Sequence, residues 1–259
     1  MVSGRTDVDG PIHADYRVTM TAGFDSVEAL VFDMFGTVVD WRTNVAAEVA
    51  SLLGEYVPSL DAYEFADAWR AEYQPSMERV RKGDRPFVRL DVLHRENLDT
   101  VLEQFGTDPT SIPEHVLAEV NLAWHRLDPW PDAVAGLTRL KARFIIAPLS
   151  NANVRLALDV AKRAELPWDA VLGAEVAGAY KPDPAAYLRT ADVLGLEPHQ
   201  IAMVAAHNSD LAAAQDLGLR TVFVRRPTEH GPDQTTDLAA DGEWDVVAED
   251  FEDLADRIG

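Results

Sequence analysis

The chain has 259 residues, 47% of them hydrophobic and none of them cysteine, so it can bury a sizeable core and excludes a disulfide framework, a thiolate nucleophile and a cysteine metal site. Its 23 basic and 44 acidic residues give a formal net charge of −21, which opposes non-specific binding to nucleic acid or to an anionic membrane. The opening segment MVSGRTDVDGPIHADYRVTM has no apolar signal core, and nowhere is there a run of about 18 apolar residues, so a cytoplasmic protein with a flexible extension over residues 1–23 is expected.

The first element is an apolar strand over Val27–Phe32 (VEALVF) that ends in Asp33. A glycine-containing turn, FGT, separates it from the helical spacing of Val45, Val49, Leu52 and Leu53. From about Asn44 to His125 no strand pattern occurs. Phe65/Trp69/Tyr73, Leu90/Leu93/Asn97/Val101 and Val116/Val120/Trp124 repeat at helical spacing, interrupted at Pro75. An all-helical insert over 44–125 follows, dividing an α/β core of 24–43 and 126–259.

After Pro129 the pattern alternates. Helix 131–142, strand Phe144–Leu149, helix 152–164, strand Ala170–Leu172, helix 184–194, strand Ile201–Ala205, helix 210–217 and strand Thr221–Val224 are expected, with strand Asp245–Val247 and helix 250–258 closing the series. Helices between short apolar strands specify a doubly wound, Rossmann-like parallel sheet. Asp183 and Pro184 suit a helix N-cap and first turn, and Gly195 and Gly218 suit helix ends.

Ligands of such sheets bind beyond the carboxyl ends of the strands. Asp33, Ser150, the His207–Asp210 turn and the loop bearing Lys181 should therefore converge. Each has a plainer explanation: Asp33 as a turn cap, Ser150 and Asn151 as an N-cap pair, Lys181 as a solvated loop cation, Asp210 as a first-turn acid favoured by the helix dipole. Against the first stands the cost of desolvating a carboxylate at the end of an apolar strand, which a function must repay.

FDMFGTVVDWR at 32–42, PLSNAN at 148–153, YKPDPAAY at 180–187 and MVAAHNSDLAAAQDLGL at 203–219 resemble, in order, the four motifs of the haloacid dehalogenase superfamily. The resemblance implies that Asp33 is a nucleophile forming a covalent ester and that the helical insert is a cap. It also separates branches. Phosphatases of the superfamily usually carry a second Asp two residues after the nucleophile, where this chain has Phe35, and Mg²⁺-dependent members present paired acids where this chain offers Asp210 alone. The chain is therefore similar to the metal-independent (S)-2-haloacid dehalogenase branch, which implies no metal, no cofactor, a small 2-halocarboxylate as the partner, and a homodimer as in many relatives.

Residue by residue, the resemblance makes Lys181 the lysine that moderates charge at the nucleophile, Ser150 and Asn151 the motif whose hydroxyl and backbone N–H groups bind the substrate carboxylate, Asn151 a completing member of the halide cradle, and Thr37 a support for the nucleophile turn. Met34 and Phe35 follow the nucleophile beside the substrate. Arg70, in AWRAEY, corresponds to the halide-abstracting arginine, although an arginine on a helix is commonly solvated. Tyr187 matches a tyrosine of the dehalogenase site and equally suits the core face of its helix. Asp210 corresponds to the acid that orients or deprotonates the hydrolytic water. The chain departs from the family where Ala205 and His207 stand in place of a common Ser and Asn. His207 either orients the water, acts as its base, touches the halide, or simply bonds to loop backbone.

The expected activity is hydrolysis of a short 2-haloalkanoic acid, fluoroacetate within its range, to the 2-hydroxy acid. Opening of a strained-ring amino acid by the same ester chemistry, a Mg²⁺-dependent phosphatase, and a non-catalytic small-acid binder are the alternatives.

Overall fold

The computed structural model describes residues 24–259, so the extension expected over residues 1–23 lies outside the described residues. β1 (Ala29–Phe32) leads into α1 (Trp41–Leu53), α2 (Ala62–Ala71), α3 (Tyr73–Arg81), α4 (Leu90–Gln104) and α5 (Glu114–Asn121). Then come α6 (Ala133–Lys141), β2 (Ile145–Ser150), α7 (Val154–Arg163), β3 (Leu172–Gly173), α8 (Ala174–Ala177) and α9 (Pro184–Leu194). β4 (Ile201–Ala205), α10 (Asn208–Asp216), β5 (Arg220–Val224), β6 (Val246–Ala248) and α11 (Phe251–Ile258) complete the chain.

The six strands lie in the order β3-β2-β1-β4-β5-β6, and every pairing is parallel. This is the doubly wound arrangement, with β1 at its centre and the strand order reversing beside it. β1 is buried along its length because both sheet faces are covered. Leu30 and Phe32 join the larger core with α1, α6, α7 and α11, whereas Ala29 and Val31 join a second core with α9 and α10. Period-two alternation thus divides one strand between two apolar layers.

Local signals set the element ends. Asp183 accepts from Ala185 N with Pro184 in the first turn of α9, and Gly195 closes that helix at φ +68°. The break expected at Pro75 falls at Glu72, between the end of α2 at Ala71 and the start of α3 at Tyr73, and Pro75 sits in the first turn of α3, where its missing N–H costs no helical bond. Most element ends lie one or two residues from expectation, and two of the shifts have a local cause. α7 starts at Val154 rather than 152, because the Ser150 hydroxyl accepts from Ala152 N and holds a turn ahead of the helix. β3 is reduced to two residues, since Asp169 already takes the Ile146 amide with its carboxylate.

Candidate active site

Asp33 leaves the end of β1 at the middle of the sheet, with its own amide bonded to Val204 O of β4. The next six residues curl back, Val38 and Val39 both donating to Met34 O, and Gly36 takes φ +85° to permit the turn. Thr37 Oγ1 donates to Asp33 Oδ2 at 3.0 Å and accepts from Ala206 N at 2.9 Å, tying the turn after β1 to the end of β4.

Lys181 Nζ reaches Asp33 Oδ1 at 3.0 Å and also bonds Asp210 Oδ2. Tyr187 Oη donates to Asp210 Oδ1 at 2.6 Å, so both oxygens of Asp210 are engaged. Lys181 is 6% exposed, and its backbone N–H donates to Asn151 Oδ1 at 2.7 Å. Burial disfavours the ammonium, but the two carboxylates outweigh it and push the lysine above its ordinary value. Burial likewise opposes ionisation of Asp33, yet Lys181 and His207 hold its carboxyl well below the usual range. An ionised carboxylate therefore faces the crevice with its partners already in place.

His207, at the N-cap of α10, points Nδ1 at Asp33 Oδ2 (3.1 Å) and Nε2 at Glu229 Oε2 (2.9 Å). Burial works against the imidazolium, but Glu229 and Asp33 raise it well above the ordinary histidine value. Glu229 is 1% exposed, accepts from Trp41 Nε1 at 2.9 Å, and is held ionised by His207 against the cost of burial. The sequence pattern does not single out Glu229. Its one signal is position, in the loop after β5, whose carboxyl end opens on the same crevice.

These groups border a cavity of about 190 Å³, roughly the space of six liquid water molecules. Asp33, Phe35, Asn151, Lys181, Tyr187, His207 and Asp210 line it from the core, and Arg70, Tyr73 and Gln74 from the helices between β1 and α6. Ser209, Asp237 and Pro182 complete the wall. The Arg70 guanidinium lies 4.1 Å from the Tyr73 ring centre and 5.5 Å from that of Trp41, and it forms no ion pair among the described residues. It is a cation held by aromatic faces and left open to an anion. Phe35 is 2% exposed and packs edge-on against Tyr73, His94 and Trp124, which makes that wall apolar.

Three expected site residues do not line the cavity. Ser150 is 1% exposed and accepts from Ala152 N with its hydroxyl oxygen, so it holds the turn after β2. Met34 is fully buried because the reversing turn sends its side chain into the larger core. Thr37, also fully buried, touches Asp33 without lining the cavity.

Among the described residues no group of three or more His, Cys, Asp or Glu side chains could hold a metal ion. Lys181 stands between Asp33 and Asp210, the two carboxylates that would have to bind one.

A family model described as haloacid dehalogenase-like hydrolase matches residues 27–218. An (S)-2-haloacid dehalogenase of Pseudomonas sp. strain CBS-3 is 32% identical over 208 residues, covering 78% of this chain and 86% of the relative. The crystal structure of a defluorinating L-2-haloacid dehalogenase is 55% identical, with a TM-score of 0.88 over 90% of this chain and 95% of the other. A second L-2-haloacid dehalogenase crystal structure is 45% identical, with a TM-score of 0.85 over 90% and 98% of the two chains.

Proposed function

The chain belongs to the haloacid dehalogenase-like hydrolases, and from that membership we propose that it is a 2-haloacid dehalogenase hydrolysing short 2-haloalkanoic acids, fluoroacetate among them, to 2-hydroxy acids. The observation that carries this is an ionised Asp33 on a small cavity that Phe35 also lines, Phe35 standing where phosphatases of the superfamily usually carry the second Asp that protonates a leaving alcohol. A departing halide needs no proton. The 55% identity to a defluorinating enzyme supports including fluoride among the leaving groups.

The substrate carboxylate is taken by backbone N–H groups of the loops after β1 and β2, the second of which Ser150 braces and Asn151 borders. Asp33 attacks C2 from behind, the C–O bond forming as the carbon–halogen pair of electrons leaves with the halide, and C2 inverts. Arg70 receives the halide on the far wall, and the residues 44–125 act as a cap that excludes bulk water.

Ester formation removes the charge of Asp33, one of the two carboxylates that keep His207 protonated. His207 then releases its proton, and with Glu229 behind it becomes the base for the water that attacks the Asp33 ester carbonyl. Asp210 is the poorer base, since Lys181 and Tyr187 occupy both its oxygens; it fixes Lys181 instead. Hydrolysis restores Asp33 and the imidazolium together, and the net products are the 2-hydroxy acid, the halide and one proton.

A cytoplasmic location and a homodimer belong to this proposal; no helix among the described residues is long and apolar enough to cross a membrane. The test is halide release from chloroacetate, fluoroacetate and 2-chloropropionate by EDTA-treated protein, wild type beside Asp33→Asn. Release that survives EDTA and vanishes in the variant is expected. A folded wild type that releases no halide but turns over a phosphoester with Mg²⁺, or opens a strained-ring amino acid, overturns it.

A further inference from the structure

Back-side attack by Asp33 sends the leaving atom towards the wall opposite β1, which is built from the α2–α3 junction. Arg70 occupies the last turn of α2 and Tyr73 opens α3, so both side chains face the cavity from one break in the helical path. Tyr73 is not among the site residues legible in the sequence, where it counts only as one member of an apolar stripe.

The ring of Tyr73 is immobilised on three sides. Phe35 meets it edge-on at 6.3 Å, His94 packs at 6.1 Å with a 33° tilt, and the Arg70 guanidinium covers a face at 4.1 Å. His94 is itself stacked on Trp124 at 4.4 Å, so the support behind the ring is a continuous aromatic block. Asn151 lines the same cavity and favours the ionised phenol slightly, and among the described residues the Tyr73 hydroxyl donates no hydrogen bond. Burial raises the phenol above its ordinary value, so it stays a donor throughout the neutral range. A buried O–H with its acceptor missing, fixed beside an unpaired guanidinium on the wall that the leaving atom approaches, is a preorganised half of an anion site.

We propose that Tyr73 is a catalytic residue of the dehalogenation, its hydroxyl donating a hydrogen bond to the departing halide beside Arg70 and so favouring the smallest and strongest acceptor, fluoride. The proposal rests on the dehalogenase assignment above. The proton stays on Tyr73 throughout. Asp33 gains the C–O bond, the electron pair of the carbon–halogen bond departs with the halide, and the hydrogen bond shortens as that charge develops. Fluoride concentrates its charge in the least volume and gains most from a neutral O–H. Bromide, larger and more diffuse, is served almost entirely by the cation and the aromatic walls.

The experiment is Tyr73→Phe, which removes one oxygen and keeps the packed ring, compared with wild type in two measurements and checked for folding by its melting temperature. Steady-state turnover of fluoroacetate, chloroacetate and bromoacetate is the first. The expected result is a fall of about 100-fold in kcat for fluoroacetate, against less than about 5-fold for the other two. The second is binding of sodium fluoride and sodium chloride, followed through quenching of the neighbouring tryptophans. Fluoride binding should weaken in the variant much more than chloride binding. Equal losses for all three substrates, or unchanged fluoride binding, overturn the proposal. A wild type that binds halides but dehalogenates nothing sinks the assigned activity instead, and the binding comparison still decides the role of Tyr73.

Discussion

His207 and Glu229 meet at 2.9 Å, and the opposite ring nitrogen of the same histidine lies 3.1 Å from Asp33, so one imidazole spans the carboxylates after β1 and β5. Glu229 raises His207 by its charge, so Glu229→Gln should lower the histidine's folded-state value and weaken it as a base. The covalent step, which uses Asp33, is left largely intact. We expect kcat to fall by about 100-fold, and the Asp33 ester to accumulate as an adduct in the mass spectrum of the intact protein during turnover. The limb of the pH–rate profile that belongs to His207 should move to lower pH. An unmoved limb without adduct would remove Glu229 from the mechanism.

The same contact makes Gly36 a sensitive position. A Cβ placed there would lie 2.0 Å from Glu229 Oε1, and the backbone sits at φ +85°. Gly36→Ala must therefore strain the nucleophile turn and displace the glutamate together. A stability loss of about 1–3 kcal/mol is expected from the backbone alone, together with the adduct build-up of Glu229→Gln. Chemical denaturation and intact mass measure the two effects separately; a stable variant that hydrolyses its ester normally would show that Glu229 can move without consequence.

Lys181→Met leaves Asp33 and Asp210 facing each other without the shared cation. Asp33 then loses a principal support for its ionised form, and its pKa rises. Because the wild-type carboxyl is depressed, it contributes stability above the unfolded value of about 3.9 that is lost as pH falls towards its folded value. In the variant that contribution shrinks, and the acid limb of activity moves to higher pH. A profile of halide release against pH checks this; an unmoved acid limb would separate Lys181 from the charge state of Asp33.

Asp33 is legible in the sequence because an acid ends an apolar strand, and the crevice rule then brings Lys181, His207 and Asp210 to the same end of the sheet. Ser150 shows the limit of that rule. Strand ends fix where a residue sits but not whether it lines the cavity: Ser150 accepts from Ala152 N in the turn after β2 and is not among the lining residues. Glu229 and Tyr73 are hidden for different reasons. In RRPTEHGPD the glutamate looks like part of a solvated loop, and only its approach to Gly36 and Trp41 buries it. Tyr73 has the helical spacing of a core residue and is one, at 4% exposed, yet it also lines the cavity. Periodicity reports the buried face of a helix and is blind to which buried atom borders a ligand.

A second histidine links the helical segment to the core outside the cavity lining. His125 closes the single turn Leu122–His125 and places Nε2 3.1 Å from Asp91 Oδ1 of α4 and Nδ1 3.0 Å from Asp159 Oδ2 of α7. With a carboxylate on each nitrogen, both must donate, which requires the imidazolium. Burial opposes the charge, but Asp91 and Asp159 prevail and raise the histidine above its ordinary value. Arg155 on Asp159, Asn153 on Asp91 and the neighbouring His94 are the other groups facing this cluster. A raised folded-state value means that the stabilisation is complete below the unfolded value of about 6.5 and fades as pH climbs through the folded value. His125→Gln should therefore melt well below wild type at about pH 6 and approach it at about pH 9, as the wild type loses the same contribution. Thermal melts of both proteins across that range decide it, and a melting gap that stays constant with pH would mean that His125 acts through packing alone.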